Sequence, residues 1–148
     1  MEKQFHILLA DDDMDDRMFF KMALKKVSVP TDLTTVEDGE RLIQFLNQNQ
    51  NNLPDVIFLD LNMPRKNGNE CLLIIKQDKN LSHIPIVIYS TSLHDDVADE
   101  LYKNGAHYYL QKPNVVDLPG FIERVVTLLK NTAERPSREA FIVNRVVV

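Results

Sequence analysis

Val56-Ile57-Phe58-Leu59 is an unbroken apolar run that stops at a carboxylate, Asp60, and passes into the turn Leu61-Asn62-Met63-Pro64. A run without alternation leaves neither face for water, so it predicts a strand buried on both sides, as in a parallel sheet clad by helices. Parallel neighbours need crossover connections, and the rest of the chain supplies them. Further strand-like runs lie at residues 6–10, 33–36, 84–89 and 107–110, the second of them weaker and nearer an edge. Helical spacing follows each run, over about 13–27, 39–46, 69–77, 93–104 and 118–131. Five β-α units in succession predict an α/β fold, a doubly wound five-stranded parallel sheet of flavodoxin-like (βα)5 form.

Local signals place the helix ends. Asp15 and Asp16 stand in the first turn of the first helix and Lys25 and Lys26 in its last, both favourable to the helix dipole. Met14, Met18, Phe19 and Met22 give that helix an apolar stripe. Ser92-Leu93-His94-Asp95 has the form of a capping box, Gly105 suits a C′ position, and Pro119 suits a first helical turn.

Composition removes whole classes of function. A chain of 148 residues with 44% hydrophobic and 26% charged residues fits one globular domain. Its net charge of −5 argues against direct nucleic-acid binding, which needs a concentrated basic surface. No apolar run is long enough for a membrane helix, and the N-terminus lacks the form of a signal peptide, so no membrane role is expected and the cytoplasm is the expected compartment. A single cysteine, Cys71, offers neither a disulfide nor a metal cluster and reads as a buried, inert thiol.

The strand ends carry the chemistry. In a parallel sheet they emerge along one edge, where ligands bind. The first strand delivers Asp11 and Asp12, the third Asp60 and the fourth Ser90, with Lys112 just beyond the fifth. Any one of these could be a turn former; five on one edge ask for a common purpose. Two carboxylates ~4 Å apart repel by roughly 4 kcal/mol at an effective dielectric near 20. Three therefore call for a cation or a raised pKa. Oxygen ligands without His or Cys select a hard ion, Mg2+ being the physiological choice. A cation, a lysine and a hydroxyl around a carboxylate nucleophile are the equipment for phosphoryl transfer, with an acyl phosphate as product.

Four motifs, Leu8-Leu9-Ala10-Asp11-Asp12, Phe58-Leu59-Asp60-Leu61-Asn62-Met63-Pro64, Tyr89-Ser90-Thr91 and Tyr109-Leu110-Gln111-Lys112-Pro113, in this order and spacing resemble the receiver domain of two-component response regulators. The resemblance covers Phe5 to about Asn131. It implies that Asp60 is the phosphoacceptor, that Asp12, Asp60 and the Asn62 backbone carbonyl bind Mg2+ directly, and that Asp11 acts largely through water. It makes Lys112 the phosphate-binding amine, Ser90 the switch hydroxyl and Tyr109 the coupled aromatic that turns inward on phosphorylation. Ser90 is selected from Ser90-Thr91-Ser92 by lying five residues beyond Pro85, which matches the family's strand length. The Lys112-Pro113 bond is expected to be cis, as in the family. A phosphorylation-activated switch follows, with signals passing through the surface of helix 93–104, strand 107–110 and helix 118–131. The partners implied are a sensor histidine kinase and either a histidine phosphotransfer protein or a downstream target. Slow autodephosphorylation is the residual activity. Asp13-Met14-Asp15-Asp16-Arg17 and Tyr89-Ser90-Thr91-Ser92 add a likeness to the stand-alone regulators paired with phytochrome-type kinases.

Residues 1–131 then form the receiver and 132–148 a tail too short for an output domain. In the tail, Phe141-Ile142-Val143 and Val146-Val147-Val148 are β-prone; they can pack on their own domain, extend a partner's sheet in a homodimer, or stay free. Two other functions compete. A metal-dependent phosphohydrolase of haloacid-dehalogenase type would need an acid two residues after Asp60, where Asn62 stands. A non-phosphorylated adaptor would have no use for the acidic pair, Asp60, Ser90 and Lys112 together.

Overall fold

In the computed structural model, which describes residues 3–132 and 134–144, strands and helices alternate as expected. The elements are β1 (Phe5–Ala10), α1 (Met14–Leu24), β2 (Thr31–Val36), α2 (Gly39–Gln48), β3 (Val56–Leu59), α3 (Gly68–Gln77), β4 (Ile86–Ser90), α4 (Asp95–Lys103), β5 (Tyr108–Gln111) and α5 (Leu118–Asn131), followed by a 3-10 turn at Arg138–Ala140. The five strands pair in parallel in the order β2-β1-β3-β4-β5. β2 lies at an edge and stays half exposed, as its weak pattern implied.

Each central strand feeds two cores by alternation. In β3, Ile57 and Leu59 join Leu42, Leu46, Cys71, Leu72 and Ile75 of α2 and α3. Val56 and Phe58 join Phe20 and Ala23 of α1 and Ile122, Val125 and Val126 of α5. Every residue of β3 is fully buried, which is why the run shows no alternation. Burial of such a side chain stabilises by roughly 1.5–3 kcal/mol, so the two-sided burial of β1, β3 and β4 dominates the stability of the sheet. Cys71 is buried in the first core, as expected.

The face of α1 differs from the reading of its sequence. Met14, Met18 and Met22 are half or more exposed, and Phe19 is partly so. The helix instead buries Phe20 and Ala23, with Phe20 packed edge-on against Phe58 and Tyr89 at ring distances of 5.1 and 5.7 Å. The inward face is polar one turn earlier, at Asp16 and Arg17, because there it meets the strand ends rather than the core. A stripe found by hydrophobicity alone therefore lands on the wrong side.

The start of α4 differs as well. Its first residue is Asp95, and the cap residue His94 makes no side-chain capping bond. Ser92 is engaged elsewhere: its carbonyl accepts from the Tyr109 hydroxyl and its Oγ lies 3.4 Å from Ser90 Oγ. Gly105 does close α4, at φ 105°, with the Lys76 stem 3.1 Å from where a Cβ would stand. Lys112–Pro113 is trans, the ordinary state even before proline, and no cis bond occurs among the described residues.

Of the tail, residues 134–144 pack on their own domain. Tyr109 N donates to the Phe141 carbonyl and Val143 N to the Tyr109 carbonyl, both at 2.9 Å, with a parallel bridge from Tyr109 to Ile142. Asn144 completes the zipper by accepting from Gln111 N and donating to its carbonyl. Phe141 is fully buried between Tyr102 and Tyr109. Arg135 lies on the Tyr102 ring and Arg138 pairs with Asp99 at 2.7 Å. The run Val146-Val147-Val148 lies outside the described residues.

Candidate functional site at the carboxyl ends of the central strands

β1 and β3 are neighbours, and the strand order reverses between them, since the chain goes from β1 outward to β2 and returns to the other side of β1 for β3. The crevice at such a switch point is where doubly wound sheets bind ligands. Asp11 and Asp12 follow β1, and Asp60 follows β3. Ladder bonds still hold the backbone there: Asp60 N donates to the Ala10 carbonyl at 3.0 Å and Asp11 N to the Val36 carbonyl at 3.1 Å. The acids thus stand on rigid strand ends rather than on loose loops.

One carboxylate oxygen from each of Asp11, Asp12 and Asp60 lies within 4.8 Å of the others. Asp11 is fully buried, Asp60 nearly so and Asp12 exposed. The loop after Asp60 is drawn tightly under it. Gly68 opens α3, and a Cβ there would stand 2.4 Å from the Asp60 carbonyl oxygen. Only glycine lets the helix press against the backbone that carries Asp60.

Charge is the dominant quantity in this crevice. Burial pushes the Asp60 carboxyl up to about 7; the charges of Asp11 and Asp12 add to it, while Lys112 and the Asn62 N–H work the other way. The Lys112 ammonium lies 2.8 Å from Asp11 Oδ2, 2.8 Å from Asp16 Oδ2 and 3.7 Å from Asp60 Oδ2. Burial opposes its charge, yet the close carboxylates of Asp11 and Asp16, with Asp60 behind them, carry its pKa above that of an ordinary lysine. Asp11 Oδ2 nonetheless has no well-directed hydrogen-bond donor, only the nearby ammonium charge.

A buried carboxylate oxygen left short of a donor, and a neighbouring acid forced toward neutrality, are both relieved by a bound cation. The donors are all oxygen, so the trio fits a hard divalent ion.

The structure thus brings Asp11, Asp12, Asp60 and Lys112 to one crevice. Ser90 ends β4 with its side chain fully buried, its carbonyl accepting from Lys112 N at 2.8 Å. Tyr109 is turned inward, almost wholly buried, and its hydroxyl donates to the Ser92 carbonyl. Burial raises its phenol pKa, and a hydrogen bond with the Ser90 side chain opposes this. Sequence reasoning missed Asp16, taken only as a helix-dipole acid, and Tyr89, whose ring lies 5.2 Å from the Lys112 ammonium. The sequence carries no signal for Asp16: Asp12 precedes α1, which begins at Met14, so the pair shares no helix face. His83 and His94 are exposed, as expected.

Comparison with known proteins agrees with this geometry. The family model of the response regulator receiver domain matches residues 7–123. Response regulator Rcp1 of Synechocystis sp. is 32% identical over 136 residues, covering 88% of this chain and 92% of Rcp1. Two-component response regulator ARR17 of Arabidopsis thaliana is 32% identical over 122 residues, 76% of this chain and 78% of its own. Among solved structures, the phosphorylated cyanobacterial phytochrome response regulator RcpA aligns with a TM-score of 0.79 and 34% identity, over 91% of this chain and 100% of that one. The Mn2+-bound form of Rcp1 aligns at 0.75 and 32%, over 89% and 99%.

Proposed function

This chain belongs to the response regulator receiver family of two-component signalling, and on that premise we propose that it is a switch that accepts a phosphoryl group on Asp60. The observation that carries the reading is the meeting of three carboxylates and one lysine at the switch point of the sheet. Receiver domains take their phosphoryl group from histidine kinases. The relatives described as phytochrome response regulators favour a kinase of that kind as the donor. Phosphoryl transfer onward to a histidine phosphotransfer protein, or contact with a downstream target, completes the relay.

In this reading Asp60 Oδ attacks the phosphorus of the donor phosphohistidine; an O–P bond forms, the N–P bond breaks, and the freed imidazole takes up a proton. Asp12, Asp60 and the Asn62 carbonyl would hold Mg2+, with Asp11 supporting them through water. The manganese in the Rcp1 structure supports a divalent ion there. Bound, it neutralises charge on the phosphoryl oxygens. Lys112 places a second positive charge beside the same oxygens. Asn62 is no acid, so the acyl phosphate has no built-in proton donor two residues on and is lost only slowly; the chain signals rather than turns over substrate.

Phe19 and Met22 of α1 line one pocket with Val115 and Pro119, and Met14, Met18 and Val116 are half or more exposed. Exposed apolar side chains of this kind mark a contact surface, and we assign this one to the kinase. The signal leaves through α4, β5 and α5. Ser90 bonds a phosphoryl oxygen, and Tyr109 is held inward beside it, so the population of the inward state rises with phosphorylation. Residues 1–131 form the receiver, and 132–148 an appendage whose described part closes the β5 edge.

The test is incubation with Mg2+ and acetyl phosphate, followed by intact mass. Wild type is expected to gain one phosphoryl group, only when Mg2+ is present, and Asp60→Asn to gain none. A folded wild type that stays unmodified would instead favour a protein-binding adaptor.

A further inference from the structure

Three carboxylates surround the Lys112 ammonium, but a directed hydrogen bond joins it to Asp16 Oδ2 at 2.8 Å. Asp11 Oδ2 is as close, without a hydrogen bond of acceptable direction, and Asp60 Oδ2 is 3.7 Å away. Asp16 stands outside the trio that can hold a cation. It lies in the first turn of α1, where a carboxylate helps the helix dipole from any exposed position, as Asp15 does. The dipole gives no reason for Asp16 to turn inward onto a lysine that is itself only 9% exposed in its side chain. On the other side, the Tyr89 ring stands 5.2 Å from the ammonium and is wedged edge-on against Phe20 and Phe58.

We propose that Asp16 is the positioning residue for Lys112, fixing the ammonium so that a remaining N–H faces the oxygens of a phosphoryl group on Asp60. The inference rests on the reading of Asp60 as phosphoacceptor. Lysine carries three donors on a flexible four-carbon stem, so its charge is easily near the site and its donors easily misaimed. Once a cation draws on the Asp11 carboxylate, the bond to Asp16 is the tether that remains. A donor held in place before the reaction costs no reorganisation during it.

The experiment times phosphorylation by acetyl phosphate at saturating Mg2+ for wild type, Asp16→Asn and Asp16→Glu, and for Asp16→Asn with Lys112→Ala against Lys112→Ala alone. Circular dichroism and the Mg2+ dissociation constant are measured on each. Asp16→Asn is expected to slow the reaction about three- to tenfold while Mg2+ affinity changes by less than about twofold. Asp16→Glu is expected to recover part of the rate, and Asp16→Asn to change nothing once Lys112 is alanine. Equal rates for wild type and Asp16→Asn overturn the proposal. So does the same slowing in the Lys112→Ala background, since the effect then does not pass through the lysine. If wild type itself takes no phosphoryl group, the assignment of Asp60 falls first and this inference falls with it.

Discussion

Between about pH 4 and pH 7 the Asp60 carboxyl costs the metal-free fold stability. Its pKa is 3.8 in the open chain and about 7 in the folded one, raised first by burial and then by Asp11 and Asp12. Below the lower value both states hold the proton and the full stability is present. As pH rises, the unfolded chain ionises freely while the folded chain does not, and stability falls until the folded carboxyl also ionises near 7. Asp60→Asn removes that loss. Without metal, the variant is expected to exceed wild type by about 2 kcal/mol at pH 8 and to match it near pH 4, as read by urea unfolding; this is about half the full value of such a shift, discounted for the open crevice. Equal unfolding midpoints at both pH values would contradict the assignment. At this scale the sequence was informative where a residue ends a strand. Asp11, Asp12, Asp60 and Lys112 could be found because strand ends share one edge. Asp16 could not, because the direction of its side chain depends on how α1 is rotated over the sheet.

That rotation belongs to the scale of elements, and so does the path of the tail. The methionines of α1 are spaced like a core stripe, yet the helix packs by Phe20 and Ala23, since the Phe58 and Tyr89 rings lie there to receive them. Hydrophobicity records how much apolar surface a helix has, not which partner faces it. The tail was legible only as β-prone; its place along β5 is set by Phe141 entering a gap between Tyr102 and Tyr109. Phe141→Ala should therefore act like a core truncation, lowering stability by about 3 kcal/mol. It should also raise hydrogen exchange at Tyr109 and Val143, whose amides are bonded across the same seam. A loss below about 1 kcal/mol, with protection at those amides unchanged, would show that the seam holds without the ring.

For the molecule as a whole, the two-sided runs of β1, β3 and β4 made the architecture readable, because only a sheet covered on both faces hides such strands. The same architecture links the site to global stability. Asp12 and Asp60 stand on adjacent central strands, so a cation that joins them binds the folded chain and finds no equivalent in the unfolded one. Mg2+ at a hundredfold its dissociation constant is expected to add about 2.7 kcal/mol to the unfolding free energy, reversibly with chelator, in a melt followed by circular dichroism. Asp12→Asn should abolish most of that gain, and a gain unchanged by the substitution would place the ion elsewhere. The chain has four tyrosines and no tryptophan. Tyr89 stands beside Lys112, Tyr102 lies beneath Arg135, and Tyr108 and Tyr109 are consecutive in β5. All the useful fluorophores are therefore on β4, α4 and β5. The native emission of the unlabelled protein reports on that half of the molecule and is dark to the half built on β1, β2, α2 and α3.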